Sequence, residues 1–171
     1  MTHRRVSLVL LLLWSLSGCS GQPERAHAAA PSFEPGARVP DEPLILQDGF
    51  ELRLPAMKGK LIAVFFCASL DDPECQREAQ VLAEHHAELH DDHHVVVIGV
   101  SPATTAVHKT WLAAQHSPLD FAADPDGRVA RVFRVGEGPA VVVVDKDSSI
   151  RAVWRDADPE RHVRELLAAA R

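Results

Sequence analysis

The sequence predicts an α/β domain with a central mixed β-sheet flanked by helices, and three stretches predict it. Residues 61–79, LIAVFFCASLDDPECQREA, read as an apolar strand, a polar turn carrying Pro73, and a helix whose first turn holds Cys75. Residues 95–100, VVVIGV, form a continuous apolar run, the mark of a central strand covered on both faces. Residues 140–144 and 150–154 are two more apolar runs, joined by Asp145-Lys146-Asp147 as a hairpin and followed by a closing helix. Strands that alternate with helices and end in a hairpin give a mixed sheet rather than an all-parallel one.

Taken in order, Leu44–Leu46 and residues 50–54 are short strands separated by the turn signal Gln47-Asp48-Gly49. Lys58-Gly59-Lys60 turns the chain into the strand that ends at Cys67. The helix over about 75–90 is built from good formers such as Gln76, Arg77, Glu78 and Ala79, with Ala79, Leu82, Ala83, His86 or Ala87, and Leu89 inward. After the 95–100 strand, Thr104 caps a helix to about His116, with Val107, Trp111 and Leu112 inward. A short strand over 118–123 leads through Asp124-Pro125-Asp126-Gly127 to a short helix ending near Phe133. Asp158-Pro159-Glu160 combines an N-cap, a proline at the first helical position and an acid at the positive end of the dipole. The last helix turns Val163, Leu166 and Leu167 inward. Trp111 and Trp154 read as core or half-core, and His108, His116 and His162 as helix-surface residues without a role.

The N-terminal 18 residues read as a segment apart from this domain. Arg4 and Arg5 precede an apolar run that is short for a spanning helix, and Leu16-Ser17-Gly18-Cys19 follows. That order resembles a bacterial lipoprotein signal, which implies lipidation of Cys19, a membrane anchor and a periplasmic location. Ser20, in place of Asp, resembles lipoproteins sent on to an outer membrane. Residues 19–41 are rich in Gly, Pro, Ala and Ser and read as a flexible linker, leaving 42–171 as the domain. Removing the signal takes the formal charge from −6 to −8, and an acidic chain without basic runs excludes nucleic acid as a partner.

Of the three cysteines, Cys67 and Cys75 are then left as thiols, either a disulfide or a redox pair in an oxidising compartment. A cysteine at a helix N-terminus has its thiolate stabilised by free N–H groups and the helix dipole. Cys75 is therefore the candidate nucleophile. Cys67 is its candidate partner, and Asp72 is placed to tune the thiol or relay a proton.

Several pieces carry a resemblance over the whole stretch from about residue 42 onward. They are Gly59-Lys60, Val64-Phe65-Phe66, Pro73-Glu74-Cys75-Gln76-Arg77-Glu78-Ala79, Val97-Ile98-Gly99-Val100-Ser101, Asp124-Pro125-Asp126-Gly127 and Val142-Val143-Val144-Asp145. In this order they resemble the thioredoxin-like fold. More narrowly they resemble redoxins, namely peroxiredoxins of the alkyl hydroperoxide reductase/thiol-specific antioxidant (AhpC/TSA) family and membrane-anchored TlpA/ResA-type thioredoxins. The peroxiredoxin alignment makes Cys75 the thiolate that attacks a peroxide and becomes a sulfenic acid, with Cys67 to resolve it. The Thr and Pro that this family places three and seven residues earlier are here Asp72 and Ala68, and a carboxylate beside a thiolate raises its pKa. No Arg is clearly placed before the 141–144 strand. The TlpA-type alignment instead makes Cys75 the second, buried cysteine and puts Asp71 or Asp72 at the first. It matches Gly138-Pro139-Ala140 to the cis-proline segment opposite the active site.

Two functions of different class follow. One is a redoxin that uses Cys75 on a peroxide or a protein disulfide, with a thiol electron donor and no cofactor. The other is a catalytically degenerate fold that binds a metal or a protein. For the latter, His85, His86, His90, His93 and His94 crowd ten residues, and His86 and His90 have one-turn ligand spacing suited to Zn²⁺ or Cu²⁺.

Overall fold

The computed structural model describes residues 33–136 and 138–171. The signal-like segment and Cys19 lie outside them. The strands are β1 (Leu44–Leu46), β2 (Glu51–Leu52), β3 (Leu61–Phe66), β4 (Val95–Ser101), β5 (Asp120–Ala123), β6 (Ala140–Val144) and β7 (Ile150–Trp154). The helices are α1 (Pro73–Glu84), α2 (Thr105–Gln115), α3 (Arg128–Val132) and α4 (Pro159–Ala170). One sheet joins the strands in the order β2-β1-β5-β4-β3-β6-β7. β3, β4 and β5 are mutually parallel, while β6 and β7 run antiparallel on one side and β1 and β2 on the other. The mixed sheet and the central place of β4 are as the sequence predicts.

All six residues of β3 are buried, which needs cover on both faces. Its two-residue period sends Leu61, Ala63, Phe65 and Cys67 into the core shared with α1, α2 and α4. Ile62, Val64 and Phe66 enter the opposite core with Val129 and Phe133. This alternation aims Cys67 at α1.

Between α2 and the sheet, Phe121 on β5 is the hub. Its ring meets Phe65 edge-on at 5.2 Å and also touches Trp111 and His108. Gly99 on β4 lies opposite it in register, and a Cβ there would stand 2.5 Å from the ring. Only glycine leaves Phe121 its place.

Three local expectations are corrected. Val107 is 50% exposed and His108, rather than Val107, points inward, so the buried stripe of α2 runs through 108 and 112. Burial also takes His162 off the helix surface, where it was expected. α1 stops at Glu84 rather than His90, and a π-helical turn, Glu88–Asp92, follows. The wider turn keeps Leu89 in the core, and His94, at φ 56°, then reverses the chain into β4.

Residues 36–39, read from sequence as linker, pair with the start of β7. Gly36 N–H donates to Ile150 O at 2.8 Å, Val39 N–H donates to Ser148 O at 3.0 Å, and Val39 is buried.

Candidate active site

Asp72 is the N-cap of α1, and its carboxylate accepts the Glu74 N–H at 3.1 Å. Pro73 takes the first helical position, where its missing N–H costs nothing. Cys75 therefore falls in the first turn. Cys67 follows β3 directly and extends its ladder, with its N–H donating to Val100 O at 2.9 Å. The 68–72 loop is held by Gln76 Nε2, which donates to Leu70 O at 2.9 Å, and by Ser69 Oγ, which accepts the Asp71 N–H.

Strand and helix bring the two cysteines together. Cys67 and Cys75 form a disulfide with Cα atoms 5.3 Å apart. Cys67 is 7% exposed and Cys75 1% exposed. Cys67 borders two spaces. One is a cleft of about 240 Å³ shared with Ala68, Ser101, Pro102, Asp124 and Val135. The other is a gap of about 10 Å³ shared with Cys75, Glu74, Glu78, Pro139 and Asp156. Cys75 borders only the gap, which has room for roughly one water. In the disulfide state, then, Cys67 is the sulfur that an incoming molecule meets.

Pro139 does stand opposite the pair, one residue before Ala140, which is the partner of Phe66. Its peptide bond is trans, as are all those of the described residues, which corrects the cis-proline expectation. Trans is the more stable X–Pro isomer by about 0.5–1 kcal/mol, and Pro139 leads into the extended β6.

Next to the disulfide lies a group that the sequence did not reveal. Glu78, one turn after Cys75, and His162 on α4 are both buried. His162 Nδ1 lies 2.9 Å and 3.1 Å from the two Glu78 oxygens, and Nε2 lies 3.0 Å from Asp156 Oδ1. Arg161 grips Asp156 with its guanidinium, and the Trp154 ring stacks on His162 at 4.9 Å. Burial alone pushes His162 down. The Glu78 hydrogen bond and charge, joined by Asp156, outweigh it and hold the imidazole above the ordinary histidine value. Arg161 and then His162 hold Asp156 below the usual carboxylate range. The alternating charges of Arg161, Asp156, His162 and Glu78 cancel, so Glu78 does not burden a Cys75 thiolate with a full uncompensated charge. A second buried histidine, His108, accepts or donates to Ser101 Oγ at 2.7 Å and is pushed down to about 4 by burial.

The His86 and His90 rings stack face to face, 5.1 Å apart and 11° from parallel. His90 pairs with Asp91 and His85 with Glu88. Among the described residues no group of three or more His, Cys, Asp or Glu could hold a metal ion.

Sheet order and the cysteine at the start of α1 fit a thioredoxin-fold redoxin. Residues 35–153 match the model of the AhpC/TSA family, and the chain belongs to that family. It is 26% identical to peroxiredoxin Bcp of Bacillus subtilis over 148 residues, covering 80% of this chain and 94% of that protein. Among solved structures, peroxiredoxin Q of Xanthomonas campestris superposes with a TM-score of 0.70 at 21% identity, over 78% of this chain and 94% of that one. The bacterioferritin comigratory protein of the same organism, solved in a study of its alkyl peroxide reduction activity, superposes at 0.68 with 19% identity, over 80% and 97%.

Proposed function

We propose that this protein is a thiol-dependent peroxide reductase that cycles between a Cys67/Cys75 dithiol and the Cys67–Cys75 disulfide. The observation that carries this reading is the disulfide itself, which joins a helix N-terminal cysteine to the end of the neighbouring strand with 5.3 Å between Cα atoms. Reduced Cys75 attacks the distal oxygen of a peroxide as a thiolate, the O–O bond breaks, and the alkoxide leaves as an alcohol after taking a proton. Cys67 then attacks the sulfenic sulfur of Cys75, water departs and the disulfide remains. An external dithiol restores the pair. The alkyl peroxide reduction described for the Xanthomonas campestris relative supports peroxide as the oxidant.

The cleft beside Cys67 supports a second use, exchange with a protein disulfide or dithiol that docks there. The lipobox-like Leu16-Ser17-Gly18-Cys19 supports anchoring through Cys19 on the periplasmic side of the envelope. There an oxidising compartment would favour the disulfide form between turnovers.

Peroxide consumption by the full-length protein with dithiothreitol as donor tests the reading. Cys75→Ser should abolish turnover. Cys67→Ser should form no intramolecular disulfide, and without dithiothreitol it should take up one equivalent of peroxide and stop at the Cys75 sulfenic acid. Full turnover by Cys75→Ser would remove Cys75 as nucleophile. Metabolic labelling with a fatty acid, lost in Cys19→Ala, tests the anchor.

A further inference from the structure

A dithiol/disulfide site that is closed to solvent has a proton problem. When the disulfide opens, Cys75 leaves as a thiolate into a pocket where it is 1% exposed. Bulk water cannot reach it freely, and an unprotonated buried thiolate is a ready nucleophile for re-closing the bond. Some group must carry a proton inward. The structure places one such chain of side chains between solvent and the gap that Cys75 borders.

Its outer end is Asp156, whose side chain is 54% exposed. Its middle is His162, whose side chain is 1% exposed and whose two nitrogens each face a carboxylate. Its inner end is Glu78, three residues beyond Cys75 and so on the same face of α1, and both line the one gap of about 10 Å³. Imidazole is the side chain that can take a proton on one nitrogen and release one from the other. A ring nitrogen facing an ionised carboxylate carries a hydrogen, so with two such neighbours the trio holds one proton more than a neutral histidine would.

We propose that Asp156, His162 and Glu78 form a proton relay that protonates Cys75 as the disulfide is reduced. The inference rests on the reading of Cys67–Cys75 as a working redox pair. An incoming thiolate attacks Cys67 Sγ from the cleft, a new S–S bond forms, and the old bond's electron pair leaves on Cys75 Sγ. The relay's proton moves from His162 Nδ1 to the Glu78 carboxylate and on to that sulfur across the gap, leaving a neutral His162 that keeps its Nε2 hydrogen. Solvent then supplies one proton past Asp156 and restores the charged imidazole. The second thiol of the donor then attacks the mixed disulfide. Cys67 leaves as a thiolate and takes its proton from the cleft, and the donor departs as a disulfide. Glu78, His162 and Asp156 act here as positioning and proton-carrying residues rather than as the nucleophile.

The charged groups facing His162 are Glu78 from α1 and Asp156 from the segment before α4, with Arg161 across Asp156. Glu74 borders the same gap. Arg77 is paired away with Glu160.

The test is the rate of disulfide opening by dithiothreitol, per dithiothreitol thiolate, from pH 5 to 9 in the full-length protein, His162→Gln and Asp156→Asn. Asp156 is exposed, so its variant keeps the fold even where His162→Gln does not. The wild-type rate should be level at low pH and fall through one inflection above pH 6.5 as the relay empties. In His162→Gln the inflection should vanish, with the low-pH rate about a hundredfold lower, the lower end of what a positioned acid contributes. In Asp156→Asn the inflection should move to lower pH, because His162 loses a carboxylate that favours its charged form. A folded Asp156→Asn protein that keeps the wild-type profile overturns the relay. A wild-type disulfide that dithiothreitol does not open overturns both the relay and the redox reading. Re-oxidation of the reduced samples by hydrogen peroxide is scored separately. Its absence would defeat the peroxidase reading alone, with the reduction profiles still deciding the relay.

Discussion

Cys67 and Cys75 are chemically alike and differ in surroundings. Cys75 sits on a helix N-terminus and beside the Glu78–His162 pair, while Cys67 borders the larger cleft. The helix terminus is worth about 0.3–1 kcal/mol to an anion, up to ~2 where it is partly buried. Burial opposes it. Asp72, three residues before Cys75, adds a carboxylate where the peroxiredoxin alignment puts Thr. Replacing Asp72 by Thr keeps a side chain able to cap α1 and removes that charge, so peroxide-driven oxidation of Cys75 should speed up, on the order of tenfold if the thiol's pKa falls by about one unit. Stopped-flow oxidation of the reduced protein checks this, and an unchanged or slower rate would assign Asp72 to capping alone. Cys75 was legible in the sequence because strand, turn, proline and cysteine follow one another within the chain. Glu78 and His162 were not, since their meeting joins residues 84 apart and a lone histidine among apolar helix positions looks like any other surface histidine.

At the scale of the element, α1 and β4 each depend on one residue. Asp72→Ala removes the hydrogen bond to the Glu74 N–H and should cost about 1 kcal/mol, read as a lower denaturation midpoint with an unchanged slope. Gly99→Ala drives a methyl into the Phe121 ring, and overpacking of that kind costs roughly 1–3 kcal/mol. A stability equal to wild type would mean that β5 can shift to make room. The strands β3, β4, β6 and β7 and the caps Thr104 and Asp158 match their sequence signals, because continuous apolar runs and Asp-Pro-Glu patterns are local. The end of α1 at Glu84, short of the expected one, has a local reason too. Nothing in Glu84-His85-His86-Ala87-Glu88 stops a helix, and the π-helical turn arises from the need to keep Leu89 buried.

Across the whole molecule, the two buried histidines give stability opposite pH dependences. His108 is held near 4 by burial, below its unfolded value, so the unfolded chain binds the proton first. Its part of the stability is present at neutral pH and falls as pH drops from about 6.5 toward 4. His162 is raised, so its contribution is full below about pH 6.5 and is lost as pH climbs through its folded value. Urea unfolding across pH 4–9 should therefore show an optimum between the two limbs, and His162→Gln should flatten the alkaline limb only. Loss of the acid limb in the same variant would contradict this assignment. Reducing the disulfide frees the short segment between residues 67 and 75 and should lower stability by about 2–3 kcal/mol, a modest change that a redox cycle can tolerate.

The most direct test of the redox pair is to alkylate the reduced full-length protein as a function of pH, before and after one equivalent of hydrogen peroxide, and to read Cys67 and Cys75 separately by mass spectrometry. Cys75 should react with an apparent pKa below the free thiol value of about 8.5. One equivalent of peroxide should protect both cysteines together as a single intramolecular disulfide. Two thiols that titrate as free cysteine and stay open to alkylation after peroxide would rule out the redox pair.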